Sequence, residues 1–271
     1  MKRTGNDTDL ALRLVPRLVA TDATVAATMS GLDGSLACPD AARPAVLAAL
    51  TALHPDATFV VATPTGAAAG QLVDDLQSLL GPDGVVLFPA WETLPFERIS
   101  PTVETMGRRA EVLWRLRTPE HRPRIVVAGA RALLQKTSPD VDVATSQPAP
   151  IHLRVGMQVD PVALVRDLVT LGYRREDLVE LRGHVAQRGA IVDVFPSTHD
   201  EPLRIEFWGD EIERLQRFNV NDQRGSATLD ETRIHPAREF LVDDAIRAEA
   251  ASLVAREPWG RERSEEHTSE L

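Results

Sequence analysis

Apolar residues fall into two regimes along this chain, and the change between them divides it. From residue 23 to about 137, short apolar runs alternate with stretches in which apolar residues recur every three or four positions, the pattern of a parallel sheet covered by helices. The runs Val25–Met29, Thr58–Ala62, Val85–Phe88 and Ile125–Ala128 predict strands. Arg43–Leu53, Ala67–Leu80 and Val103–Leu116 predict helices, the last with Val103, Met106, Ala110, Leu113 and Trp114 on one face. Pro139, Pro148 and Pro150 then break the periodicity, and Ser138–Pro150 reads as a linker. Beyond it, Ile151–Val155 alternates as a strand, Pro161–Leu171 places proline in the first turn of a helix, and Val179–Phe218 is rich in strand formers. A smaller α+β unit is therefore expected, ending near His235-Pro236, with one more helix from Asp243 to about Arg256. Arg263–Leu271 has no apolar periodicity and resembles a translated sequencing adapter, so it is left out of the fold.

Composition narrows the setting. The 271 residues are 43% hydrophobic with a net charge of −10, a globular profile without overall attraction for a phosphate backbone. Cys38 is the only cysteine, which rules out an intramolecular disulfide and suits a reducing compartment, the cytoplasm by default. No run is long and apolar enough for a signal peptide or membrane span. Lys2 and Lys136 are the only lysines among 30 basic residues, a bias we attribute to GC-rich coding.

Three segments invite chemistry. Gly31-Leu32-Asp33-Gly34-Ser35-Leu36-Ala37-Cys38 is expected between a strand and a helix, where a phosphate-binding loop would sit. Leu36, Ala37 and Cys38 stand where such a loop needs its second glycine, its lysine and its Mg²⁺-binding hydroxyl, so the loop, with Gly31 and Gly34 left, is read as degenerate. In Ile205–Glu211 the Asp210-Glu211 pair resembles a Mg²⁺-binding strand end, but Glu206 interrupts the apolar run and Gly209-Asp210 is a good hairpin turn. In Leu203–Trp208, strict alternation puts Leu203, Ile205 and Phe207 inward and Arg204, Glu206 and Trp208 outward. Tryptophan and arginine are the types enriched at the energetic centres of interfaces, so this face is either a docking surface or is covered by its own domain. Arg188 could join it from a neighbouring strand, although both faces of Ala190–Phe195 are apolar and Ile212, Leu215 and Phe218 do not fit a period of two. The seven histidines show no metal-ligand spacing, and no catalytic set or metal site is expected.

Pro89–Glu97, with Ser100-Pro101 and the helix through Arg108 and Arg109, resembles the first-domain signature of the Mfd family of bacterial transcription-repair coupling factors. Gly189–Pro196, Arg204–Glu211 and His235–Glu239 resemble its second domain. The resemblance implies an α/β fold: a degenerate P-loop-type parallel-sheet domain (residues 1–149), an inserted α+β UvrA-binding domain (150–236) and a returning, truncated segment of the first (237–262), with 263–271 non-native. It places the UvrA contacts on Arg188, Arg204 and Trp208, with Glu206 added from the UvrB pattern. It implies no cofactor and no enzyme activity in this chain. RNA polymerase, double-stranded DNA, ATP and Mg²⁺ would belong to a motor and other domains outside it. UvrB, an ATP-dependent excinuclease component, is the competing resemblance. Against it stand the missing phosphate-loop lysine, the short Trp91–Ser100 connection, which leaves no room for a damage-probing hairpin, and Ala186 in place of an arginine. A third reading is regulatory, the module holding a motor or docking face shut in a longer protein.

Overall fold

The computed structural model describes residues 12–31, 33–94, 97, 99–137 and 149–240, together with Arg247, Ala248, Ala251, Ser252 and Arg256, all helical. The tail, nearly all of the linker, Leu32, Pro95, Phe96 and most of the helix expected after Asp243 lie outside these residues.

In the first unit, helices α1 (Val15–Ala20), α2 (Ala23–Met29) and α3 (Arg43–Leu53) precede β1 (Phe59–Thr63), followed by α4 (Gly66–Leu80), β2 (Val85–Phe88), α5 (Val103–Arg117), β3 (Ile125–Gly129) and α6 (Ala130–Leu134). The three strands form a parallel sheet in the order β1-β3-β2. β3 is buried along its whole length, which is why Ile125–Gly129 carries no polar side chain. Helix α4 packs Ala69, Leu72, Val73 and Leu76 on one face with Ile125 and Val127. On the other face, Val112 of α5 packs with Val86, Val126 and Ala128.

Two expectations fail here for identifiable reasons. Val25–Met29 is not a strand but part of α2, because Asp22 caps the helix, its carboxylate accepting from the backbone N–H of Thr24 at 2.9 Å and Val25 at 3.0 Å. Only Val25 of that run is buried, so it lacks the apolar contacts that hold a central strand. Gly31–Cys38 therefore follows a helix. The strand-to-helix turn is made instead at Thr63–Gly66, where the Thr65 hydroxyl accepts from Ala68 N at 3.1 Å and caps α4. Second, of the face expected on α5 only Ala110 is buried; Thr105, Gly107, Arg109 and Val112 are buried instead, because the helix is enclosed by the sheet on one side and the second unit on the other.

The second unit contains β4 (Ile151–Arg154), α7 (Pro161–Thr170), β5 (Arg174–Arg175), β6 (His184–Arg188), β7 (Ile191–Val194), β8 (Leu203–Trp208), β9 (Glu211–Phe218), β10 (Gly225–Leu229) and β11 (Glu231–Ile234). Six strands form a sheet in the order β10-β9-β8-β7-β6-β5, antiparallel except for the β5–β6 pair, while β4 and β11 form a separate ribbon. Asp160 caps α7 and Pro161 opens it, and its Leu164, Val165 and Leu168 pack with Val192, Val194, Leu203 and Ile205. Tyr173, whose pKa burial pushes up to about 12, donates to the His235 carbonyl at 2.7 Å and accepts from Ser197 N at 3.0 Å.

Gly107 marks how closely the units meet. A methyl group there would overlap the side chain of Ser197, which is buried with its hydroxyl donating to the Pro236 carbonyl at 2.9 Å. Gly107→Ala is expected to destabilise the chain by about 1 to 2 kcal/mol, overpacking outweighing the gain in helix propensity. Urea denaturation of the two proteins measures the difference.

Candidate docking face on the antiparallel sheet

Register explains which side chains share the outer face of the six-stranded sheet. Ala186, Asp193, Arg204 and Gln216 lie opposite one another across β6 to β9, and Arg188, Ile191, Glu206 and Arg214 form the next row. The ladder shifts between Glu206 and Phe207, so that Ile205 pairs with Leu215 but Phe207 pairs with Ile212. This bulge keeps Ile212 and Leu215 both inward although they are three residues apart, and it accounts for their failure to fit a period of two. Phe218 then falls on the outer face, in a small cluster with Val179 and Ala186.

Asp193 organises this face. Its side chain is 2% exposed and receives Arg204 Nε at 2.7 Å and Nη2 at 2.9 Å in a bidentate pair, and Arg188 Nη2 at 2.7 Å. Arg204 also donates to the Gln223 carbonyl at 3.1 Å and lies 4.7 Å above the Phe218 ring, leaving it 14% exposed. Arg188 keeps 48% of its side chain exposed. Glu206 accepts from Gln216 Nε2 at 2.8 Å and lies 3.5 Å from Arg214 Nη1.

Trp208 ends β8 opposite Glu211, with Gly209-Asp210 as the two-residue turn and a positive φ of 61° at Gly209. The Asp210-Glu211 pair serves that turn: the Asp210 carbonyl accepts from Val159 N at 2.7 Å, and the Glu211 carboxylate from Gln158 Nε2 at 3.1 Å. Trp208 itself is 80% exposed, so the indole is not covered by its own domain. The four residues singled out from the sequence thus share one face in two states. Arg204 is locked, with Glu206 partly so, whereas Arg188 and Trp208 face solvent. Asp193 was missed, and its signal was a lone carboxylate inside the apolar run Ala190–Phe195. Gly31, Gly34, Ala37 and Cys38 are in the other unit, between α2 and α3.

The first-domain signature residues serve packing. Arg109 and Glu239 form a fully buried pair, Nε to Oε2 at 2.7 Å and Nη2 to Oε1 at 3.2 Å, and Trp91 Nε1 donates to the same carboxylate at 2.8 Å. Arg109 Nη1 reaches the Pro89 carbonyl at 2.9 Å, and its guanidinium lies over the Phe88 ring at 4.3 Å. Burial alone would raise the Glu92 pKa, but hydrogen bonds from Thr105 and Thr102 at the start of α5 hold it below the usual range. Together these contacts tie the loop after β2 to α5 and to the segment that follows β11.

Residues 151–240 match the family described as the UvrB interaction domain. The chain is 40% identical over 234 residues to the transcription-repair-coupling factor of Mycobacterium tuberculosis, covering 83% of the chain and 18% of that protein. It is 34% identical over 186 residues to the factor of Bacillus subtilis, covering 69% of the chain and 15% of that protein. Against UvrABC system protein B of Symbiobacterium thermophilum it is 35% identical over 141 residues, covering 51% of the chain and 20% of that protein. The chain therefore spans less than a fifth of the length of these coupling factors.

Proposed function

We propose that this chain, which carries a UvrB interaction domain and is homologous to the transcription-repair-coupling factors over most of its length, is a docking module for UvrA in transcription-coupled excision repair. The observation that carries this reading is the outer sheet face, where an 80% exposed tryptophan stands beside arginines held in place by a buried aspartate. Such an arrangement is pre-organised: a locked bidentate pair fixes the surface, and an indole that is mostly in solvent buries a large apolar area only when a partner arrives. Trp208 and Arg188 act as direct contacts, Glu206 as a flanking acceptor, and Arg204 chiefly by shaping the face.

The module is read as the N-terminal, UvrB-like part of a longer cytoplasmic protein. In that protein RNA polymerase and double-stranded DNA engage other regions, and a motor uses ATP and Mg²⁺. Among the described residues no helix is long and apolar enough to cross a membrane. The chain itself is proposed to lack ATPase activity, since Gly31–Cys38 has no phosphate-loop lysine or metal-binding hydroxyl and follows a helix, and the strand-to-helix turn at Thr63–Gly66 carries no lysine either. The second reading, a UvrB-like ATP-dependent component, is supported by the similarity to UvrABC system protein B.

Calorimetric titrations with UvrA and with ATP and Mg²⁺ separate the two. Saturable heat with UvrA and none with nucleotide is expected, whereas nucleotide binding without UvrA binding overturns the proposal in favour of the second reading.

A further inference from the structure

Away from the docking face, the two units enclose a cleft of 610 Å³. On one wall, α5 supplies Trp114 and Arg115, and the turn after it supplies His121 and Arg122. On the other, the connection from β7 to β8 supplies His199, while Arg233 and His235 come from the end of β11. Trp114 stacks on His121 at 4.9 Å and meets the edge of His235 at 5.3 Å, so the rings join the two walls in one continuous aromatic surface.

Two features of this cleft are incomplete as the chain stands. His235 is 5% exposed and its Nδ1 has no hydrogen-bond partner, and the buried Nδ1 of His199 is likewise unpaired. Each unpaired nitrogen is enclosed by protein and carries a penalty, which a turn of its ring toward a group bound in the cleft would remove. The second feature is charge. Arg115 donates to the carbonyls of His121 and Asp83, Arg122 to that of Leu116, and Arg124, at the rim, to those of Thr51 and His54. Main-chain carbonyls satisfy these hydrogen bonds without cancelling the charge.

The histidines register that field. Burial first, and then His199, Arg115, Arg233 and His121, hold the His235 pKa down at about 3. Burial, Arg217 and Arg182 hold His199 at about 4, against the opposing effects of a hydrogen bond that the imidazole donates to the Arg233 main-chain carbonyl and of the charge of Asp200. Asp83, Glu111 and Glu120 also line the cleft, and burial raises the pKa of Glu111 despite Arg115 and Arg108.

We propose that this cleft binds a tetrahedral oxyanion, the phosphate group of a small phosphorylated molecule, held by Arg115 and Arg233 with the imidazoles of His199 and His235. The volume exceeds that of one oxyanion, which leaves room for the body of the ligand against the aromatic wall. A bound anion opposes the positive field and favours the charged imidazoles, so binding takes up protons and tightens as pH falls.

Inorganic sulfate is the first probe, because its charge is constant over the working range, and ribose 5-phosphate is the second. Titrating the full chain while following the histidine side-chain resonances, we expect saturable shifts of His199 and His235 and an affinity several-fold tighter at about pH 6 than at about pH 8. Arg233→Gln is expected to weaken sulfate about tenfold with the fold intact, as judged by circular dichroism. Tighter binding of ribose 5-phosphate than of sulfate assigns the cleft to a phosphorylated metabolite, and equal or weaker binding overturns that assignment and leaves a site for a free oxyanion. Unshifted histidine resonances in the folded protein overturn the proposal. So does a sulfate affinity that neither Arg233→Gln nor His235→Gln changes.

Discussion

Glu239→Ala is expected to lower the free energy of unfolding by about 3 to 5 kcal/mol, the cost of leaving a fully buried guanidinium without its counter-charge. Among the described residues the remaining hydrogen-bond partners of Arg109 are the Pro89 carbonyl at 2.9 Å and the Gln135 amide oxygen at 3.5 Å, both neutral. Trp91 Nε1 loses its acceptor in the same substitution. Replacing both members, as in Arg109→Met with Glu239→Leu, should cost less than the single change, since no charge is then stranded. Urea denaturation of the three proteins gives the comparison, and a single-substitution cost below about 1 kcal/mol would show that this network does not hold the units together.

Asp193→Ala is expected to act on stability and on docking together. The carboxylate is the common acceptor for Arg204 and Arg188, so its removal strands a guanidinium that is 14% exposed over the Phe218 ring. A loss of about 2 to 3 kcal/mol in unfolding free energy is expected, less than for Glu239 because Arg204 retains some contact with solvent. UvrA affinity should fall about tenfold or more at temperatures where the variant remains folded, because Arg188 and Arg204 are no longer held in place. Unchanged affinity in the folded variant would mean that the arginine geometry is irrelevant to docking.

These two carboxylates also show where the sequence was legible and where it was not. Periodicity located α3, β2 and β3, because their faces are filled by their own side chains. Alternation alone oriented β8: Leu203, Ile205 and Phe207 are buried and Trp208 is exposed. The failures come from groups whose partners are remote in sequence. Arg109 reads as a polar helix position until Glu239, 130 residues later, is brought against it. Asp193 looks like an interruption in an apolar run until Arg204 closes on it from the next strand. Short-range competition misled in the other direction at Val25–Met29, where the Asp22 cap outweighs the apolar run. The bulge opposite Phe207 was legible only as a breakdown of period two, since the extra residue belongs to the pairing of two strands.

The most direct test of the docking account is calorimetric titration of UvrA into the wild-type chain and into Trp208→Ala. With 80% of Trp208 already in solvent, the substitution should leave the urea midpoint unchanged while weakening UvrA binding by about 2 kcal/mol or more, roughly 30-fold. Equal affinity in the two folded proteins would contradict the assignment of this face.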